Sequence, residues 1–340
     1  MQQTSGQTLV VVNYVAARAR RAWPLIKNAL AESGVRFDAY ESVAAGEAEK
    51  RVRLALREGY QTVAAVGGDG TLSEVARGFF ECPVGTNRDN SDDAGGMPRP
   101  VNASAVLAVL PAGTGDDFAR GLEQGRRVPL ENWLRRFIEY HKQPVDAKRT
   151  RLADTILATV NEIDGSGARR FVCLNSATVG FSADVVTRVS RQAGAWRRLG
   201  GEARFALAAV GALAAWRNRE VRVAVDDAEL VECATNLIAV ANGAYAGGGM
   251  KFAPSARVDD GRLEVLAACG VSRGGVMREL ARIHRGGHVA NPKIIFTSGT
   301  RVRVETVETG ATLAVEADGD MRGYTPAEFR VMPGALRLVF

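Results

Sequence analysis

T-V-A-A-V-G-G-D-G-T-L, Thr62 to Leu72, is the stretch on which the reading of the fold turns. Thr62 to Val66 is β-branched and apolar and stops on glycine, as a buried strand does, while Leu72 to Ala76 can open a helix. The chain must therefore turn sharply through Gly67, Gly68, Asp69, Gly70 and Thr71. Three glycines permit positive φ and leave no side chain between the backbone and a ligand. A helix N-terminus just beyond presents unpaired N–H groups to an anion. The turn reads as a phosphate cradle carrying one carboxylate, and such a carboxylate suits Mg²⁺, which binds through few protein oxygens plus those of a polyphosphate.

Outward from this turn the pattern repeats. Leu9 to Val12 is an apolar run ending at Asn13, Ala17 to Ser33 is helical, Phe37 to Tyr40 is a second strand and Glu47 to Glu58 a second helix. Strands and helices alternating at this length indicate βαβ units on a parallel sheet, with ligands gathered at the strand C-terminal ends. Asn13, Ser42 and the glycine turn all fall on that edge. Gly85 to Asn102 lacks periodicity and reads as a surface loop. A fourth strand, Ala105 to Leu110, then runs into a second glycine turn, Pro111 to Arg120, again with a threonine (Thr114) and carboxylates (Asp116, Asp117) ahead of a helix.

Beyond about residue 150 short strand-like runs take over, from Leu157–Val160 to Leu336–Phe340, broken by helical stretches at Glu202–Trp216 and Val276–Ile283. The spacing suggests an α/β part built on a parallel sheet, followed by an antiparallel sandwich or barrel-like second domain. Glycine and aspartate punctuate the second domain at Asn242–Gly249, Asp260-Gly261 and Asp318-Gly319-Asp320, each readable as a hairpin turn.

The 340-residue chain is 46% hydrophobic with a formal charge of +6, a globular composition that favours an anionic partner. Aromatic residues at 6% and no basic stripe interleaved with them leave a nucleic-acid platform without support. Cys82, Cys173, Cys233 and Cys269 form no C-x-x-C, so neither zinc nor a disulfide framework is expected, and a cytoplasmic protein fits. His284 and His288 are expected to be a surface pair. No leader is apparent at Met1 to Leu9.

Taken in order, these boxes resemble the bacterial lipid kinases of the diacylglycerol and sphingosine kinase superfamily: G-G-D-G-T at Gly67–Thr71, P-x-G-T-x-x-D-F-A-R at Pro111–Arg120, Gly180-Phe181 with Ala183-Asp184, Asn242-Gly243 through Gly249, Asp260-Gly261-x-Leu263 and Asp318-Gly319. The resemblance implies a two-domain fold, with a Rossmann-like α/β nucleotide-binding domain over 1–145, which 326–340 could complete, and an antiparallel β-sandwich lipid-substrate domain over 146–325; it also implies ATP and Mg²⁺ as cofactors, a lipid substrate and a cleft between the domains. It places Asn13, Ser42, Gly67, Gly68, Asp69, Gly70, Thr71, Thr114 and Asp117 at the nucleotide, with Asp69 also at the metal and Asp260 at a structural metal. It makes Asp318 the first candidate for the base and Asp320, standing where the family has Glu, the second, with Asp146 as a supporting acid.

Three departures stand out. Asn13-Tyr14-Val15-Ala16 keeps only the Asn of the family's N-P-x-S-G, Asp116 replaces an Asn, and Gly85 to Asn102 is longer than the family's usual loop; Ser42, placed at the nucleotide above, stands where the family usually has Thr. Arg188 to Arg204 leads into the apolar helix Phe205–Trp216, which suits either peripheral contact with the inner membrane face or burial. A homodimer stays open. So do two other functions, an NAD kinase-like phosphotransferase on a soluble acceptor and a nucleotide- or lipid-binding protein without catalysis.

Overall fold

The apolar runs of the first third become β1 (Thr8–Asn13), β2 (Asp38–Ser42), β3 (Thr62–Gly67) and, after a two-stranded ribbon of β4 (Phe80–Glu81) and β5 (Arg99–Pro100), β6 (Val106–Pro111). Between and after them run α1 (Ala17–Glu32), α2 (Glu47–Arg57), α3 (Asp69–Gly78), α4 (Asp117–Leu122) and α5 (Leu130–Lys142). The computed structural model describes residues 7–82, 96–142, 149–191, 211–212, 216 and 218–339. Asp146, most of the loop from Gly85 to Asn102 and most of the stretch from Arg188 to Trp216 lie outside the described residues.

β1 pairs in parallel with β2 on one side and β3 on the other, and β3 pairs in parallel with β6. In the order β2-β1-β3-β6 the chain changes direction of travel between β1 and β3, and a crevice opens there at the strands' C-terminal ends. β3 is buried along its whole length, which explains why it carries no alternation of polar and apolar residues. α1 packs Ala19, Trp23, Ile26 and Leu30 onto the sheet, a helical spacing that leaves Arg18 and Arg21 at its exposed start.

The second part contains β7 (Thr150–Asn161), β8 (Ala168–Cys173), β9 (Ser176–Gly180), α6 (Phe181–Arg191), β10 (Arg219–Val225), β11 (Ala228–Ala241), β12 (Leu263–Cys269), α7 (Arg273–Ile283), β13 (Ile294–Gly299), β14 (Arg301–Thr306), β15 (Ala314–Ala317) and β16 (Asp320–Val339). All its mutual strand pairings are antiparallel among the described residues. The 20-residue β16 joins the two parts: its start pairs with β15, its middle with β14 and β7, and its end lies parallel to β6 through Arg337 and Leu338. Leu336, Leu338 and Val339 accordingly pack in the core of the first domain, whereas Phe329 and Val331 pack in that of the second.

Only the last residues of β16 read as a strand in the sequence. Pro326, Pro333 and Gly334 interrupt its pattern, and the structure absorbs them at register shifts against β7 between Tyr324 and Ala327 and between Met332 and Leu336. Two other expectations are corrected. Cys233 and Cys269, 36 residues apart, form a disulfide across β11 and β12, a cross-strand pairing that spacing along the chain cannot reveal. His288 is not at the surface: it is buried, and its Nε2 hydrogen-bonds the Phe252 carbonyl at 2.9 Å, while His284 is exposed at the end of α7. No helix among the described residues is long and apolar enough to cross a membrane.

Asp154 on β7 fastens three segments at once. Its buried carboxylate accepts from the N–H of Gly261 and of Gly334, both at 2.7 Å, and its own carbonyl accepts from Asn242 Nδ2 at 2.8 Å. Truncation leaves two half-buried donors unpaired, so Asp154→Ala is expected to cost about 2–4 kcal/mol in urea unfolding, and a loss under about 0.5 kcal/mol would contradict this role.

Candidate functional site

The C-terminal ends of β1, β2, β3 and β6 and the turn before β16 together wall a cleft of about 820 Å³. Asn13, Ser42, Gly68, Asp69, Gly70, Thr71 and Thr114, each expected at the nucleotide, line it, and Asp320 reaches it from the second domain. Arg18 and Arg21 of α1 also line it and supply cations at its mouth. In the sequence this cluster is A-R-A-R-R, residues 17–21, at the start of the helix that follows the first strand.

The glycine boxes act as a pair. Gly68 and Gly113 approach so closely that a Cβ on Gly113 would lie 2.5 Å from the Gly68 Cα, and one on Gly67 would lie 2.4 Å from Thr71 Oγ1. Glycine is thus required by packing between the two turns as well as by access to a ligand. Thr71 Oγ1 accepts from Asn13 Nδ2 at 2.9 Å, and Asn13 Oδ1 accepts from the Ala16 N–H at 3.1 Å, so the altered first loop keeps its Asn as a strut. Ser42 is buried and donates to the Ala44 carbonyl. Asp116 takes a left-handed conformation, φ 50°, and its Oδ1 accepts from the Gly113 N–H at 2.9 Å. Asn and Asp both tolerate that backbone and both offer the acceptor, so the departure from Asn preserves the turn.

Behind the glycines the carboxylates converge. Asp69 opens α3 and accepts from the Phe118 N–H at 3.0 Å, while Asp117 accepts from the Gly248 N–H at 2.7 Å. A Cβ on Gly115 would lie 3.1 Å from Asp69 Oδ2 and 3.4 Å from Asp117 Oδ2. Burial, the largest cause, and the Asp69 charge push the Asp117 carboxyl up to about 6. Burial also raises Asp69, with the Asp318 charge adding to it. Asp117 Oδ1 is buried with no hydrogen-bond partner. Two desolvated carboxylates with an unfilled oxygen suit a hard cation. The Gly248 contact also gives the glycine run of the second domain a function the sequence did not disclose: Gly247, Gly248 and Gly249 all have positive φ, and they turn the chain against Asp117 and Arg120.

The two candidate bases are placed differently. Asp318, at φ 49°, and Gly319 form the tight turn between β15 and β16. The Asp318 carboxylate accepts from the N–H groups of Leu174, Asn175 and Ser176, from Cys173 Sγ and from Ser73 Oγ, the last of which lies on α3. Neither Ser73 nor this loop was singled out in the sequence, because no spacing rule connects positions so far apart. Asp320 instead faces the cleft and pairs with Arg322 Nη2 at 2.7 Å. Beneath them, buried Glu316 accepts from Thr178 Oγ1 at 2.6 Å and from the Gly319 N–H, and burial raises its carboxyl to about 7. Asp260 is exposed and accepts from the Arg262 N–H at 3.0 Å, an arrangement that folds its own turn. No group of three or more His, Cys, Asp and Glu that could hold a metal occurs among the described residues.

Comparison with known proteins places the chain beside matches of three kinds. Residues 7–150 match the diacylglycerol kinase catalytic domain, and residues 177–340 match the YegS C-terminal NAD kinase beta sandwich-like domain. A protein of Pseudomonas aeruginosa (strain UCBPP-PA14) named probable lipid kinase YegS-like is 30% identical over 295 residues, 86% of this chain and 81% of that one. A diacylglycerol kinase of Mycobacterium tuberculosis (strain ATCC 25618 / H37Rv) is 29% identical over 289 residues, 83% of this chain and 85% of that one. Among solved structures, a putative diacylglycerol kinase from Bacillus anthracis str. Sterne superposes over 99% of this chain and 96% of its own with a TM-score of 0.69 at 20% identity, a likeness of fold.

Raised carboxyl values fix a pH dependence. Asp117 and Glu316 prefer the uncharged form when folded, so the stability they contribute is full below the ordinary values of 3.8 and 4.5 and is lost as pH rises through about 6 and about 7. Melting temperature without divalent cation is expected to fall between about pH 4 and about pH 7, and Glu316→Gln is expected to flatten the fall. A variant with the parent's slope would contradict the assignment.

Proposed function

Because the chain belongs to the diacylglycerol kinase-like family of lipid kinases, we propose that it transfers the γ-phosphate of ATP to a hydroxyl of diacylglycerol or a related lipid. One observation carries the reading: the two glycine boxes, Asp69 and Asp320 line a single cleft, so donor-binding and proton-accepting groups face the same space. A cleft floored by glycine backbone fits a polyphosphate, and the unpartnered Asp117 Oδ1 beside Asp69 fits Mg²⁺. When bound there, Mg²⁺ would offset charge on the phosphoryl oxygens.

The chain's own residues do the rest. The backbone N–H groups at the start of α3 and the guanidinium groups of Arg18 and Arg21 hold the phosphates. Asn13 fixes Thr71 and Asp116 fixes Gly113, which keeps the two loops rigid as the donor binds. Asp320 accepts the proton of the attacking hydroxyl from its position at the cleft wall. Asp318, with its carboxylate already occupied by donors from both domains, holds the turn that presents Asp320. No step is built on Asp260, whose single exposed carboxylate serves its turn.

The test is phosphate transfer from ATP with Mg²⁺ to a panel of dispersed lipids, with NAD as a soluble acceptor in a parallel arm. Lipid is expected to be labelled and NAD not. Asp320→Asn is expected to lower kcat by about 10²-fold or more with the KM for ATP little changed, whereas Asp318→Asn should also lower the melting temperature. Labelling of NAD alone, or nucleotide binding without transfer to any lipid, would overturn the lipid kinase reading. A fully active Asp320→Asn would move the base to another carboxylate.

A further inference from the structure

A second cavity, of about 380 Å³, shares no lining residue with the cleft, and its walls are rich in arginine. It is bounded by α2, the end of α3, β4, β8 and the start of β16. Two of its cations are matched locally: Arg57 pairs with Glu81 at 2.7 Å and Arg53 with Glu49 at 2.8 Å. Glu49 is then shared with Arg77, 3.0 Å away. Arg169, Arg170 and Arg322 add three more positive charges to the same walls without a further carboxylate among the lining residues.

Of these, Arg169 is exposed, Arg170 half-buried and Arg322 buried. Arg322 is 9% exposed, and although its Nη2 reaches Asp320, its Nε is buried with no hydrogen-bond partner. Arg170 donates Nη2 to the Gly96 carbonyl at 3.1 Å, and its Nη1 is likewise buried and unpartnered. Burial, and after it the positive charge of Arg77, push the Arg322 guanidinium below its usual range. Unpaired buried guanidinium donors are costly, and guanidinium forks match the oxygens of a phosphoryl group.

We propose that this cavity binds a phosphoryl dianion, as free phosphate or as a phosphomonoester lipid headgroup, between Arg170 and Arg322. The site is separate from the cleft yet joined to it through one side chain. Arg322 holds Asp320, and Asp320 lines the cleft, so an anion that draws on the Arg322 guanidinium weakens its hold on that carboxylate. The site rests on binding alone and stands independently of the kinase reading.

The experiment is calorimetric titration of the intact chain with inorganic phosphate while the cleft is saturated with ATP, together with co-sedimentation on phosphatidylcholine vesicles with and without phosphatidic acid. One saturable phosphate site is expected. Arg170→Gln should weaken it by about tenfold or more, the scale of a lost charge-assisted hydrogen bond, and exposed Arg169→Gln, which leaves no buried group unpaired, should weaken it less. Phosphatidic acid vesicles that retain the parent and lose Arg170→Gln identify the headgroup as the source; phosphate binding with equal sedimentation of both proteins identifies free phosphate. The proposal is overturned if no phosphate site remains with the cleft filled, or if folded Arg170→Gln and Arg169→Gln both bind phosphate as the parent does.

Discussion

The carboxylate of Asp318 ties the two domains into one site. It sits on a two-residue turn in a left-handed conformation, and donors from the segment after β8 and from α3 converge on it. A carboxylate that accepts several N–H groups is held far more firmly than a surface ion pair. The hold extends inward, since Ser73 accepts from Arg77 Nη1 at 2.9 Å and Arg77 pairs with Glu49 on α2. The base of the first domain's helices and the hairpin of the second are therefore one hydrogen-bonded unit, and Asp320 takes its position from that unit.

A second constraint acts at the floor of the cleft. The turns after β3 and β6 touch backbone to backbone at Gly68 and Gly113, and parallel pairing of the two strands runs up to Gly67 and Pro111. Closeness here sets the spacing between Asp69 and Asp117, and burial then makes both reluctant to ionise without a cation. The electrostatic cost is concentrated where the two boxes meet, an arrangement that fits the proposed ligand site.

Much of this was legible in the chain. Thr62 to Thr71 announces a buried strand, a forced turn and a helix start within ten residues, and Pro111 to Asp117 repeats the device, so the α/β domain and its ligand edge follow from local chemistry. Legibility fails where partners are distant. Ser73, the segment at Leu174 to Ser176 and Gly248 acquire roles only when β16 crosses between the domains, and β16 itself is hidden by the Pro and Gly at its register shifts. Similarly, Asp318 and Asp320 look interchangeable as sequence, and only the placement of the turn sends one inward and the other to the cleft. The Cys233–Cys269 bridge and buried His288 belong to the same class of long-range fact.

The most direct measurement is a crystal structure of the chain with Mg²⁺ and a non-hydrolysable ATP analogue. Phosphate density is expected against Gly67–Thr71 and Gly113–Thr114, with a metal ion touching Asp69 or Asp117 and the terminal phosphate on the side of the cleft that Asp320 faces. An analogue bound elsewhere, or bound there with its terminal phosphate turned away from Asp320, would contradict this placement.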